Sequence, residues 1–166
     1  MVQAMRKILL TLTFLFLAAP WLDRKAPCQY VEVPKGMRSY NKSGTQCFWC
    51  ASETACKVLG IKEGSKLTEE YSSPPTWGEG LQILQGREIK CLHRDSGSLL
   101  SWRKALASLE AGRPVIFGTP GHALLLVGYD KDDSKGVWVI DNAGVNALKV
   151  QSWSQAQFWE RWDGNM

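Results

Sequence analysis

Apolar residues recur at helical spacing through the first half of the chain. The pattern from Cys47 to Leu59 predicts a helix that ends before Gly60, because glycine commonly follows the last residue of a helix. Apolar residues near helical spacing predict another helix over Ser98–Ala111, with Gly112 after its end. Weaker patterns between these helices indicate a helical turn near 67–71, a short helix over 81–84 and a short strand over 88–92.

The second half of the chain changes to short apolar runs, which are typical of strands. Strands are predicted over 114–117, 122–129, 137–140 and 148–150, with an earlier one over 30–33. A turn over 130–136 joins two of them as an antiparallel hairpin, and a capping-box pattern from Ser154 to Gln157 starts a last helix through Trp162. A helix-rich half followed by a mostly antiparallel sheet predicts a single α+β domain.

The N-terminus has the pattern of an export signal. Arg6 and Lys7 precede an apolar run of 12 residues from Ile8 to Ala19. That run is shorter than the roughly 20 residues that span a bilayer as a helix. We therefore expect residues 1–26 to be a signal peptide or an N-terminal anchor and residues 27–166 to be the folded domain. The protein is then exported, periplasmic or secreted, and contacts a membrane only through an uncleaved N-terminal segment.

The composition and charge of the chain exclude a few classes of protein and of binding partner. Apolar residues make up 45% and charged residues 22% of the 166 residues, as in an ordinary globular protein. The net charge of +4 is too weak to indicate a nucleic-acid partner. The chain has five cysteines, an odd number that leaves one thiol unpaired in an exported protein. A disulfide between Cys28 and Cys91 is possible, but the sequence alone does not establish it.

The predicted fold brings together a cysteine, a histidine and an aspartate, whose side chains have complementary chemistry. His122 opens one strand of the hairpin and Asp141 follows the other, so antiparallel pairing brings them side by side. A cysteine at the start of the first helix supplies a thiol, and the helix N-terminus favours its thiolate form. Cysteine, histidine and aspartate together form a nucleophile, a base and a residue that orients the base.

The predicted helix itself favours Cys47 over Cys50 as the nucleophile. With Cys47 at the first helical position, the face beneath it is small or apolar and can pack on the sheet. With Cys50 at that position, Glu53 and Lys57 would turn toward the sheet, and their burial would cost free energy. We expect Cys50 and Cys56 to be small buried residues.

Four segments resemble the papain-like cysteine peptidase superfamily. The matching segments are Gln46–Ser52, Gly112–Val115, His122–Asp130 and Val139–Asn142. They are most similar to the compact bacterial branch that includes the double-glycine leader peptidases of bacteriocin exporters. The resemblance implies a papain-like α+β fold, a peptide or protein substrate, and a monomer. It also implies hydrolysis of a peptide or isopeptide bond through a thioester acyl-enzyme, without a cofactor or metal.

Two positions depart from the pattern of that family, and two other functions stay open. The family has a glutamine six residues before the nucleophile, where this chain has Asn41, whereas Gln46 directly precedes Cys47. Asn41 and Gln46 are therefore both candidates for the oxyanion hole. Asn142 is the alternative to Asp141 as the orienting residue. The alternatives in function are an inactive papain-like binding module and a thiol–disulfide oxidoreductase that uses Cys47 and Cys50 as a CxxC motif.

Overall fold

The computed structural model describes residues 28–91, 99–130, 136–143 and 149–162. The proposed signal segment, residues 1–26, lies outside the described residues. The helices are α1 (Cys47–Val58), α2 (Leu67–Glu70), α3 (Trp77–Gly86), α4 (Leu99–Glu110) and α5 (Gln155–Arg161). The strands are β1 (Cys28–Tyr30), β2 (Val115–Thr119), β3 (His122–Asp130), β4 (Val137–Ile140) and β5 (Val150–Trp153).

The described strands form one antiparallel sheet with β3 at its centre. β4 pairs along one edge of β3, and β5 pairs with β4. β2 and β1 share the other edge of β3, since Thr119 pairs with His122 at one end and Cys28 pairs with Asp130 at the other. The predicted class, helices followed by an antiparallel sheet, is confirmed.

Both faces of β3 are covered, which explains its nearly continuous apolar sequence. Leu124 and Leu126 belong to a core cluster that includes Trp102 of α4 and Phe158 of α5. Successive side chains of a strand point to opposite faces. Leu125 and Val127 therefore point to the other face, where they pack in a second cluster with Ala55 of α1. The sheet therefore lies between α1 and the pair α4 and α5.

The ends of the helices confirm the signals in the sequence. α1 begins at Cys47, and Gly60 beyond its end has a φ of 70°. Gly112 follows α4 with a φ of 73°, a backbone conformation that favours glycine. At α5 the Ser154 hydroxyl accepts from the Gln157 amide at 3.1 Å, and the Gln157 side chain accepts from the Ser154 amide at 2.9 Å. That reciprocal pair is the predicted capping box.

The segment before α4 differs from the prediction. The short helix expected over 81–84 extends over Trp77–Gly86, because Thr76 and Glu79 form a second capping box at its start. The strand predicted over 88–92 is wrong for its described residues. Glu88 has a φ of 62°, and the Ile89 amide donates to the Leu84 carbonyl at 3.0 Å, so the chain turns back on α3 there instead of extending.

Two strands lie a few residues from their predicted positions. The first strand is Cys28–Tyr30 rather than 30–33, although the amide of Val31 still donates to the Val127 carbonyl at 2.7 Å. The last strand is Val150–Trp153, whereas it was predicted over 148–150, of which residue 148 lies outside the described residues. Among the cysteines whose side chains the structure describes, the thiols of Cys47, Cys50, Cys56 and Cys91 are free. Within the described ranges, no helix combines the length and apolar character needed to cross a bilayer.

Candidate active site

Cys47 is the first residue of α1, and its side chain is half-buried. Its thiol interacts with the side chain of His122 and with the backbone of Ala123 and Phe48, and hydrogen bonding to these groups lowers its pKa. Burial raises the pKa of the Cys47 thiol, but these hydrogen bonds and the charge of His122 lower it further than burial raises it. The net pKa lies below the ordinary thiol value, which favours the thiolate.

His122 joins the thiol to a carboxylate. Its Nε2 lies 2.9 Å from Oδ1 of Asp141, and the ring also interacts with Cys47. Hydrogen bonds from the ring to Asp141 and Cys47 outweigh burial and raise the pKa of His122 to about 9. The imidazole is therefore protonated at neutral pH, and its positive charge favours the thiolate form of Cys47.

Asp141 is held in place by its own local hydrogen bonds. It follows the last residue of β4 and accepts from the backbone amide of Ala143 at 2.9 Å through the same Oδ1 that bonds His122. Burial raises the pKa of the Asp141 carboxyl, but its bonds to His122, Ala143 and Asn142 lower it more. The carboxylate therefore stays ionised and fixes the orientation of the ring.

Asn142, the alternative orienting residue, bonds to other groups. Its Nδ2 donates to the carbonyl of Cys47 at 2.9 Å and to that of Ala123 at 3.4 Å. Its backbone carbonyl accepts from the amide of Asn41 at 2.9 Å. The buried Asn142 thus connects the start of α1, the sheet and the loop before α1, whereas Asp141 occupies the position beside the imidazole.

The two predicted oxyanion residues differ in what their amides already bind. Gln46 donates from Nε2 to the carbonyls of Thr68 at 2.9 Å and Tyr71 at 2.7 Å, so both of its hydrogens are committed. Asn41 accepts from the Gln46 amide at 3.0 Å through Oδ1. Its Nδ2 is buried and has no hydrogen-bond partner among the described residues. The structure therefore directs Gln46 away from the thiol and leaves a donor on Asn41 uncommitted.

The sequence analysis did not predict the buried carboxylate of Glu53 in α1. Glu53 of α1 is 4% exposed and accepts from Lys57 at 2.5 Å, from Ser39 at 2.6 Å, and from both the amide and hydroxyl of Thr68 at 2.7 Å. Burial raises the pKa of Glu53, but the bonds from Lys57, Ser39 and Thr68 together bring it below its ordinary value. Glu53 thus joins α1 to the loop before it and to α2.

The pairing of Glu53 with Lys57 corrects one argument used to choose the nucleophile. The burial of these two charges was expected to be unfavourable, yet Glu53 is buried in the fold that has Cys47 at the helix start. Paired and hydrogen-bonded charges are tolerated inside proteins. The spacing of Glu53 and Lys57, one helical turn apart, was the signal that could have indicated the pair. The position of Cys47 at the N-terminus of α1 is as predicted.

The first turn of α1 rests on aromatic side chains. Phe48 packs edge-on against Trp77 at a centroid distance of 5.3 Å, and Trp49 stacks on Tyr71 at 4.5 Å. The Trp49 indole donates to the Ser73 carbonyl at 2.8 Å. These contacts pack the first turn of α1, where Cys47 lies, against Tyr71, Ser73 and the start of α3.

Comparison with known proteins gives one weak structural likeness. No family model matches the chain, and no curated protein matches it. A solved structure of UfSP from C. elegans is similar to this chain, with a TM-score of 0.49 and 16% sequence identity. The similarity covers 87% of this chain and 34% of that one, so this chain spans about a third of the length of UfSP.

Proposed function

We propose that the protein is a papain-like cysteine peptidase that hydrolyses peptide or isopeptide bonds. The observation that carries the proposal is the 2.9 Å hydrogen bond between His122 and Asp141 beside the Cys47 thiol, whose pKa is lowered by its interaction with His122. It places a thiol of lowered pKa at a helix N-terminus beside a protonated imidazole that a carboxylate orients. That arrangement is the one required for nucleophilic acyl transfer by a thiol.

The proposed reaction proceeds in two halves. The Cys47 thiolate adds to the carbonyl carbon of the scissile bond, and the imidazolium of His122 then donates its proton to the leaving amine. The product amine departs, and a thioester between Cys47 and the acyl group remains. Water, deprotonated by neutral His122, attacks the thioester, and the thiolate–imidazolium pair forms again as the acid is released.

The oxyanion of each tetrahedral intermediate needs preorganised donors. We propose the backbone amide of Cys47 and the side chain of Asn41 for this role. Asn41 is preferred to Gln46 because only its Nδ2 is free of a partner among the described residues. The test is Asn41→Ala, for which we expect about a hundredfold lower kcat. Gln46→Ala should mainly remove the hydrogen bonds to the carbonyls of Thr68 and Tyr71, with a smaller effect on kcat.

The structure gives less support to the alternative functions. A CxxC oxidoreductase needs a resolving thiol that reaches its partner, but Cys50 is fully buried and burial raises its pKa to about 12. An inactive binding module does not need a thiol of lowered pKa bonded to an oriented histidine. We therefore retain hydrolysis as the function.

The finer parts of the proposal concern substrate and location. We propose that the protein belongs to the compact bacterial branch that includes the double-glycine leader peptidases, on the resemblance of the four sequence segments, and that it is exported through residues 1–26, on their charge and apolar pattern. Cleavage of synthetic peptides with and without a double glycine tests the first. The intact mass of the protein recovered from the medium or periplasm tests the second, since removal of the segment lowers that mass.

The central experiment is selective labelling followed by a cleavage assay. Limiting iodoacetamide is added at pH 6, and the alkylated residues are mapped by mass spectrometry. We expect Cys47 to react first, and Cys91, the other half-buried thiol, to serve as the internal control. A peptide library is then incubated with the protein, with Cys47→Ala and with Cys91→Ala. Cleavage that persists in Cys47→Ala, or that is absent from all three proteins, contradicts the proposal.

A further inference from the structure

A cavity of about 500 Å³ lies beside the catalytic helix and apart from the proposed active site. Residues of α1, α3, α4 and the start of β2 line it, and it opens to solvent. Cys47, His122 and Asp141 are not among the described residues that line it. Its volume falls within the roughly 300–1,000 Å³ of small-molecule sites. The cavity is therefore large enough for a ligand of its own.

The interior of this cavity is mainly apolar. Its walls include Phe48, Leu84, Ile89 and Ile116. Such walls favour an apolar chain, because removing apolar surface from water stabilises the complex. One wall residue, Ser52 of α1, has a buried hydroxyl that lacks a partner among the described residues.

The charged residues of the cavity all have the same sign. Lys90, Lys104 and Arg113 line it, and all three are exposed to solvent. Among the described residues that line the cavity there is no carboxylate, and none of the three cations has an ion-pair partner in the described part of the chain. The cavity thus combines apolar walls with a cationic rim, which is complementary to an anionic head group on an apolar chain.

We propose that this cavity binds a single-chain amphipathic carboxylate. The apolar chain lies against the walls, and the carboxylate lies at the rim formed by Lys90, Lys104 and Arg113. Since Phe48 directly follows Cys47 and lines the cavity, the bound chain contacts the same helix turn that holds the thiol. The proposal does not rest on the peptidase function, because no atom of the three proposed catalytic side chains takes part.

The test measures binding of dodecanoate by isothermal titration calorimetry, below its micelle concentration. We expect one equivalent to bind, and dodecyltrimethylammonium, which has the same chain with a cationic head, to bind at least tenfold more weakly. The double variant Lys104→Gln with Arg113→Gln should weaken dodecanoate binding at least tenfold. Lys62→Gln removes an exposed lysine outside the cavity and should leave binding unchanged.

Two further measurements locate the ligand. Cys91 lines the cavity and is half-buried, so saturating dodecanoate should slow its alkylation at least fivefold. Ser52→Ala makes the wall more apolar and should leave the affinity for dodecanoate unchanged or raise it. Equal affinity for the two head groups, unprotected Cys91, or weaker binding to Ser52→Ala overturns the proposal. Binding should persist in Cys47→Ala, which separates this proposal from the peptidase function.

Discussion

His122 keeps its proton at neutral pH because two acceptors share its ring. The Asp141 carboxylate bonds Nε2, and the interaction with Cys47 adds to its effect, so that the pKa of His122 rises to about 9. The same contacts lower the pKa of Cys47. The interaction therefore favours a Cys47 thiolate beside a His122 imidazolium. This ion pair is lost as the pH rises through about 9 and His122 deprotonates.

Asp141→Asn is expected to lower the pKa of His122. The amide keeps the shape of the carboxylate but removes the negative charge that favours the imidazolium. The midpoint of the His122 titration should fall below the value near 9, as followed by NMR of the ring protons, with His93 as the second histidine signal. Peptide cleavage should fall about a hundredfold or more. An unchanged midpoint would show that Asp141 does not set the charge of the ring.

Glu53→Gln is expected to destabilise the fold by about 3 kcal/mol at pH 7, because the change breaks a buried ion pair and turns an amide toward donors. The pKa of Glu53 is lowered in the fold, so its carboxylate stabilises the protein above its ordinary pKa of 4.5. That contribution is lost as the pH falls through the lowered folded pKa. Urea unfolding at pH 7 and at pH 3 should therefore show a smaller difference between the two proteins at pH 3.

The control for Glu53 is Glu69→Gln. Glu69 pairs with Lys66 at 3.8 Å, and both side chains are about 70% exposed. An exposed pair of this kind contributes less than about 1 kcal/mol. If the two variants unfold at the same urea concentration, Glu53 is not the structural carboxylate that its contacts indicate.

At the scale of elements, α3 fixes the start of α1 through a close contact at Gly80. A Cβ at this position would lie 2.5 Å from the ring of Phe48, which is itself buried against Trp49 and Trp77. Gly80→Ala should cost about 1–3 kcal/mol of stability and slow the alkylation of Cys47, since the ring must move next to the thiol. Urea unfolding and the alkylation rate measure the two effects.

Gly78 provides a matched control in the same helix. A Cβ there meets nothing within 4 Å, and alanine is a better helix former than glycine by up to about 1 kcal/mol. Gly78→Ala should therefore leave stability unchanged or raise it, and should not alter the reactivity of Cys47. Equal destabilisation by both alanines would mean that the packing of Phe48 on α3 does not matter.

The elements that the sequence predicted well are those whose ends carry local chemistry. Glycines beyond α1 and α4 adopt the left-handed conformation that their positions required, and the Ser154 capping box starts α5. The same kind of box at Thr76 was present in the sequence and was overlooked, so α3 was predicted too short. The strand expected over 88–92 was wrong because an apolar alternation does not reveal that Glu88 turns the chain.

For the whole molecule, the candidate catalytic residues could be predicted because each sits at the end of an element. Pairing of β3 with β4 brings His122 near Asp141, and the helix start places Cys47 against the sheet. The role of Asn142 could not be predicted in this way. Its bond to the Cys47 carbonyl joins positions 95 residues apart, and only the packing of α1 on the sheet brings them together.

Asn142→Ala tests how the two halves of the molecule are joined. The variant loses the bonds to the carbonyls of Cys47 and Ala123 and leaves a small void, which should cost about 2 kcal/mol of stability. Because Asn142 does not bond the imidazole, the His122 titration should keep its midpoint near 9. Urea unfolding and the NMR titration described for Asp141→Asn measure both quantities on one sample.

The variants Asp141→Asn and Asn142→Ala together distinguish the residue that orients the His122 ring from the residue that positions α1 on the sheet. Asp141→Asn is expected to move the midpoint of His122, while Asn142→Ala is expected to lower the free energy of unfolding without moving it. A shifted midpoint in Asn142→Ala would make Asn142 the orienting residue after all. The expected pattern would mean that residues 141 and 142 have two separate roles: Asp141 sets the charge of the site, and Asn142 holds the helix of the nucleophile against the sheet that carries the base.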